Sequence, residues 1–363
     1  MSEIKAEICG PTSDIRADIA FFTKILGFKM DMIYPADDPQ VAVFSGFGVS
    51  LRLDQQSEAS PITLHLRCDE PADLDGLGEQ IAPGGTIVHV TEMHPPLALP
   101  QTLHSFVVRR LADQSPWIVG RAGMHYRDLI PDRLGGSIIA SHIRIPDGGP
   151  VPDMVHYHTV GFQLIFCYRG WVDLVYEDQG EPFRLYAGNC VIQPPEIRHR
   201  VLFASDNIEV IEIGVPAEHV TTIDHTMELP NGPANPDRVF QGQKFVHHKA
   251  ETAEWQDFRL KGFKSRDTLI AQNTQNVAGV HVMKPSTGAP EWAAHDSDIH
   301  FTFVMEGSMT LEGDGRDPHR LEAGDAFVTP PAMLTRYADA SDDLELLEVS
   351  LPGTFKTWVG DPE

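Results

Sequence analysis

His156-Tyr157-His158 sets two imidazoles one residue apart. Side chains on a strand alternate with period two, so both rings fall on one face. Gln163 follows after four residues, past a turn at Gly161, and Gly170 after six more. Further on, Gly188, Pro194-Pro195 and then His199 bring a third imidazole to the head of another strand-like run. In a small closed barrel these four positions can converge on one interior point. Three neutral imidazole nitrogens and one amide oxygen form a mixed N/O set suited to Fe(II), Mn(II), Ni(II) or Zn(II). One divalent transition-metal ion per chain is therefore expected on His156, His158, Gln163 and His199. Four protein ligands leave an octahedral ion two open positions for water, oxygen or substrate. With Gln163 where a carboxylate would serve, the ion is a stronger Lewis acid, and an anionic ligand can supply the missing charge.

Three further residues could work beside such an ion. His142 and Arg144 share one strand face, and a guanidinium can hold a substrate carboxylate through two hydrogen bonds. Glu212 stands on a strand after His199 and is a candidate general base.

The elements that must position these groups come in duplicate. Phe106-Val107 recurs as Phe245-Val246, Gly123 as Gly262 and Arg127-Asp128 as Arg266-Asp267, all at an offset of 139. Gly188 recurs as Gly324, and Pro194-Pro195 as Pro330-Pro331, at an offset of 136. IEVIEIGVP (208–216) answers LELLEVSLP (344–352). A drift of three residues over such a span marks an internal repeat. Within each copy, runs such as FQLIFCYRG, VDLVYED and NCVIQPP are short, apolar and bounded by Gly, Pro or Asp. That pattern belongs to many short strands closing into a sandwich or barrel. The Pro-, Gly- and Asn-rich stretch ELPNGPANPDRVFQGQ reads as the linker between the copies.

The repeat also maps the candidate ligands. His156 falls on Ala293, His158 on His295, Gln163 on His300 and His199 on Thr335, so the second copy keeps two imidazoles and is expected to hold no tight metal. By the same repeat His142 corresponds to His281 and Arg144 to Met283, at an offset of 139, and Glu212 to Glu348, at 136. The first hundred residues differ. Asp14 can cap a helix through ADIAFFTKIL that ends at Gly27, with Ile19, Phe22 and Ile25 on one apolar face. Strand-like runs around it complete a β-α-β-β-β unit with a further strand.

Composition narrows the function. A formal net charge of −24 over 363 residues disfavours binding to phosphate backbones or anionic lipid. Cys9, Cys68, Cys167 and Cys190 form no C-x-x-C pair and read as reduced thiols. No signal-like start or bilayer-length apolar run is present, which points to the cytoplasm. A small molecule, with neither nucleic acid nor membrane, is the expected partner, and a homodimer the expected assembly.

HYHTVGFQLIFCYRG and GNCVIQPPEIRH resemble the two cupin motifs, usually written G-x5-H-x-H-x3/4-E-x6-G and G-x5-P-x-G-x2-H. Gln163 departs from the usual Glu, Glu196 from a turn Gly, and the leading Gly149 sits one residue early. Some cupins with three His and a Gln, among them manganese hydroxynitrile lyases and uronate ring-opening enzymes, share the first departure. SDIRADIAFFTKILGFKM and PGGTIVHVTE resemble the glyoxalase-like, or vicinal-oxygen-chelate, fold, whose metal positions would fall on Glu7 and His89. The implied fold is mainly β: two tandem jelly-roll cupin β-barrels, residues 101–228 and 229–363, preceded by an α+β glyoxalase-like βαβββ module over 1–100.

The resemblance to bicupin ring-cleaving dioxygenases of the gentisate type implies a non-heme Fe(II) dioxygenase that cleaves a C–C bond of a small anionic or aromatic substrate. Two alternatives stand beside it: a non-redox isomerase, lyase or hydratase acting on a sugar acid or hydroxy acid, and a metabolite-binding sensor without turnover.

Overall fold

The computed structural model describes residues 4–70, 78–114 and 117–360. Two compact units emerge, Met1–Pro96 and Leu97–Glu363. Among the described residues no helix is long and apolar enough to cross a membrane.

In the first unit Asp14 caps the helix Ile15–Ala20 by accepting the Ala17 N–H at 3.0 Å. The helix then widens into a π-helical turn, Phe21–Ile25, where the Leu26 N–H reaches back to Phe21 O. That widening rotates the apolar face. Phe22 and Leu26 are fully buried, whereas Ile25, expected on the same face, is 42% exposed. Strands Ile8–Pro11, Lys29–Tyr34, Val41–Gly46 and Val49–Asp54 form one sheet, with the first parallel to the last. This is the expected β-α-β-β-β order. A separate sheet holds Thr63–Cys68, Gly78–Ile81 and Ile87–Glu92.

The second unit contains both repeats, each built as two facing sheets. In the first repeat Phe162–Arg169, Ile208–Val215 and Ile139–Ile145 are central neighbours of a seven-stranded sheet. His156–Thr159 and His199–Ala204 belong to the facing sheet. In the second repeat Ile299–Glu306, Glu345–Leu351 and Gly279–Pro285 take the equivalent central places. Strand pairing stays within these sheets rather than closing each repeat into one continuous barrel.

The repeats interlock reciprocally. Val107–Arg109, near the start of the first repeat, pairs with Ala326–Val328 of the second, while His247–His248 pairs with Cys190 and Val191 of the first. Arg127 donates to Gly324 O at 2.7 Å, and Arg266 donates to Gly188 O at 3.2 Å. Between the large sheets lies one shared core with Phe162, Phe166 and Ile213 on one side and Phe301, Phe303 and Val349 on the other. Each repeat also has a second core between its own sheets, to which the other repeat lends side chains: Phe245 packs on the first, and Phe106 and Val108 pack on the second.

Turn chemistry repeats as well. Gly170 (φ +74°) and Gly307 (φ +69°) occupy conformations disfavoured for residues with a Cβ, and an added Cβ would meet Ser205 Oγ or Ser341 Oγ at 2.4 Å. One element shifts register. Asp128 lies opposite Ser141, and Asp267 opposite His281, so these strands align at an offset of 140 rather than 139. The second repeat has one more residue between its aspartate and the next strand. His142 therefore corresponds to Val282 and Arg144 to Lys284, which corrects the pairing read from sequence. A one-residue slip moves every side chain to the other face.

Candidate metal centre

Strand pairing places His156 directly opposite His199, and the alternation of the strand brings His158 to the same face. One ligand nitrogen from each of His156, His158 and His199 lies within 4.8 Å of the others. All three residues are buried, at 1%, 5% and 3% exposure. Side chains distant in the chain thus meet at one interior point.

Their hydrogen bonds fix which nitrogen is free. His156 Nδ1 lies 2.7 Å from Met154 O, and His199 Nδ1 lies 2.9 Å from Ile197 O. A carbonyl oxygen only accepts, so each Nδ1 carries the hydrogen and each Nε2 presents a bare lone pair. His158 Nδ1 is 3.0 Å from Thr221 Oγ1. Burial lowers the pKa of all three; Arg121 adds to the effect at His156, and neighbouring imidazoles add to it at His158 and His199. The rings are neutral, as metal ligands must be. His156 Nε2 is buried with no partner, a condition costing about 1–3 kcal/mol unless something fills it.

Gln163 stands beside this triad. Its Nε2 is 2.8 Å from Glu212 Oε1 and 2.8 Å from His219 Nε2. Since a carboxylate only accepts, the atom facing Glu212 is the NH₂ group, which settles the amide's orientation on chemical grounds. Gln163 Oε1 is then a buried acceptor with no donor, in keeping with an oxygen offered to a cation. His219 was not singled out from the sequence. Its ring stacks on His158 at 4.3 Å while its Nε2 receives the Gln163 amide. The signal for it was asymmetry, because Phe355 takes its place in the second repeat.

The triad faces a cavity whose walls are mostly aliphatic, including Ile143, Ile145, Ile165 and Val210. It measures about 80 Å³ on a scale where one water needs ~10–15 Å³, giving room for roughly six small groups. Glu212 lines it, and so do Tyr126 and Tyr176. Burial, with Glu212 adding to it, pushes the Tyr126 hydroxyl up to about 12, so it stays protonated. Arg121 also reaches the cavity and pairs with Asp153 at 2.5 Å; Asp153 in turn lies 3.6 Å from His156 Nδ1. Sequence reasoning missed Arg121, although Arg259 repeats it at an offset of 138.

Arg144 and His142 lie elsewhere. Ile143 and Ile145 of that strand line the cavity, so the alternating residues face away from it. Arg144 donates to Asn207 Oδ1. His142 lies 2.6 Å from an Arg127 nitrogen and 2.7 Å from Glu209, with its ring against Trp117, Tyr168 and Phe303. It belongs to the contact between repeats. Neither residue is in place to hold a ligand beside the triad. In the first unit, Glu7 is exposed and precedes its strand, while His89 lies in the other sheet beside His65 and 3.6 Å from Glu79.

The second repeat presents a different interior. His300 Nδ1 and His295 Nε2 both contact Thr329 Oγ1, at 2.9 and 3.0 Å. His300 Nε2 lies 3.1 Å from an Arg259 nitrogen, and Arg259 binds Glu348 Oε2 at 2.6 Å. Ala293 and Thr335 stand where the other two imidazoles would be. Among the described residues, the His156, His158 and His199 group is the one cluster of ligand type that meets this closeness.

Residues 279–350 match the cupin domain family. The fold is similar to that of a variant of oxalate decarboxylase from Bacillus subtilis, at a TM-score of 0.53 and 14% identity, over 72% of this chain and 81% of that one. Salicylate 1,2-dioxygenase from Pseudaminobacter salicylatoxidans is similar at a TM-score of 0.55 and 14% identity, over 73% of this chain and 91% of that one. Among curated proteins none matches in sequence. At this identity the likeness speaks for the fold alone, two tandem repeats of cupin type.

Proposed function

We propose that this chain is a metal-dependent enzyme that binds one divalent transition-metal ion through His156, His158 and His199, with Gln163 Oε1 as fourth donor. The observation that carries this reading is the meeting of three neutral, buried imidazoles, two with Nε2 left bare, at the wall of one apolar cavity. Imidazole with amide oxygen and no thiolate suits Fe(II), with Mn, Ni and Zn as competitors.

The favoured reaction is dioxygen-dependent cleavage of a C–C bond in a small anionic substrate. The ion, when bound, supplies the redox chemistry and open coordination positions. The protein's own residues do the rest. Aliphatic walls exclude water, Arg121 offers a guanidinium to a substrate carboxylate, and Glu212 accepts a proton at the cavity wall. Two proteins of similar fold act, by name, on oxalate and salicylate, both small carboxylates. By the same count, a cavity of about 80 Å³ has room for a molecule of roughly the size of oxalate.

A second reading follows from Glu212 with its buried, protonated neighbour Tyr126, an acid–base pair that needs no oxygen. That pair suits an isomerase, lyase or hydratase on a hydroxy acid or sugar acid. The test loads the purified protein with Fe(II), then with Zn(II), and supplies a panel of small carboxylates with and without oxygen. Oxygen uptake with Fe(II) alone supports the first reading. Turnover with Zn(II) under anaerobic conditions replaces it with the second. Protein supplied with metal yet empty by elemental analysis would sink both.

A further inference from the structure

Arg259 deserves a separate reading, because the repeat relation gives it a partner with which to compare. In the ladders Tyr126 pairs with Ile118 and Ser265 with Gln256, so Arg121 and Arg259 fall on the same turn of their repeats. Arg121 binds Asp153 at the cavity wall. Arg259 instead extends inward to Glu348, the counterpart of Glu212, and to His300, the counterpart of Gln163. Its guanidinium stacks between Phe258 and Phe355, at 4.3 and 4.6 Å from their ring centres.

The surroundings are built for a cation. Glu348 is 0% exposed, and its other carboxylate oxygen has no partner. Thr302 and His281 flank Glu348 on the two neighbouring strands of the same face, and each has a buried polar atom without a partner. A lone carboxylate in such a place would be strongly penalised without a positive charge. Burial works to raise the Glu348 carboxyl, yet Arg259 and His300 hold it well below the usual range.

His300 Nε2 lies 3.1 Å from an Arg259 nitrogen and 3.2 Å from Glu348 Oε2, so the ring sits against the ion pair, while His300 Nδ1 and His295 Nε2 both contact Thr329 Oγ1.

We infer that the second repeat contains a cation site on Glu348 and His300 which the protein fills with its own Arg259 guanidinium, where the first repeat presents bare imidazoles to an external ion. This goes beyond the proposed reaction and does not depend on it. The corollary is that removing Arg259 leaves a site that takes a free guanidinium ion.

The test is a cycle of full-length proteins, Arg259→Ala, Glu348→Gln and the pair together, followed by thermal unfolding with and without a few millimolar guanidinium chloride, sodium chloride serving as control. Arg259→Ala is expected to lower Tm the most, and adding Glu348→Gln to recover most of that loss, because the unpaired charge is gone. Guanidinium is expected to raise the Tm of Arg259→Ala and of neither the parent nor the double variant. Should Arg259→Ala fail to fold, recovery of folded protein in the double variant reads the same coupling. Additive losses with no response to guanidinium would overturn the inference and leave Arg259 as a packing residue on two phenylalanines.

Discussion

On one turn of each repeat stands an arginine, and the two go different ways. Arg121 pairs with Asp153 at the cavity wall, beside three histidines and a glutamine. Arg259 enters, pairs with Glu348 and engages the imidazole that replaces the glutamine. The strands, the turn glycines and the facing glutamates are common to both. What the difference teaches is that polar groups buried between two facing sheets must be balanced, and that there are two routes. One repeat carries its cation covalently, on a side chain. The other is laid out for a cation from solution, with neutral rings and unpaired acceptor atoms.

The widest break in that comparison comes from the triad. His199→Ala should abolish stoichiometric metal binding by elemental analysis, whereas Thr335→Ala at the matching place should leave metal content unchanged. Next comes His219→Phe, which installs the second repeat's residue and frees the Gln163 amide to turn. We expect metal affinity to fall about 10–100-fold, the usual weight of a group that orients a ligand. Competition with a chelating dye would measure it; an unchanged affinity removes His219 from the assembly.

Gln163→Glu sharpens the contrast in charge. A carboxylate there would face Glu212, which now lies 2.8 Å from the amide, so the metal-free protein should lose about 1–3 kcal/mol in denaturant unfolding. Added metal should restore more than it does in the parent, since a glutamate ligand returns the missing charge.

Acid provides a fourth handle. Burial holds the His156, His158 and His199 pKa values below the ordinary ~6.5, so the unfolded chain binds protons first as pH falls. Stability from this source is complete above about pH 6.5 and declines below it, by at most ~1.4 kcal/mol per pH unit for each imidazole. Metal release should follow the same direction. Unfolding of metal-free protein between pH 5 and 8 checks the sign; flat stability would contradict it.

The smallest expected effect lies in the turns. Glu196 (φ +63°) and Ala332 (φ +65°) hold matching left-handed positions, where the motif usually carries glycine. Glu196→Gly and Ala332→Gly should each gain up to ~1 kcal/mol, strain relief being partly offset by chain entropy. A gain in one repeat alone would show that the turns are not equivalent.

Much of this was readable before any coordinates. Duplication, short strands, the four candidate ligands and the loss of two of them in the second copy are properties of residue type and spacing, which local geometry translates directly. The family match itself falls on 279–350, the repeat with fewer candidate ligands. Reading failed where it depended on register or reach. Arg144 was assigned to a substrate by residue type although its strand turns it away from the cavity, and His142 and Arg144 were both paired one residue out in the second repeat, where a single inserted residue ahead of the strand shifts the register. Ile25 left its apolar face when the helix widened.

The amino-acid sequence by itself determined that this protein would be two β repeats with one rich cluster of imidazoles, since periodicity and turn chemistry act over a few residues. Only the tertiary structure decided that Glu212 lies against Gln163, that His219 stacks on His158 and that Arg259 fills the second interior. Those contacts join residues from dozens of positions apart, and long side chains of equal type can point outward or inward with no local signal to distinguish them. Their direction is set by where a buried charge waits to be paired.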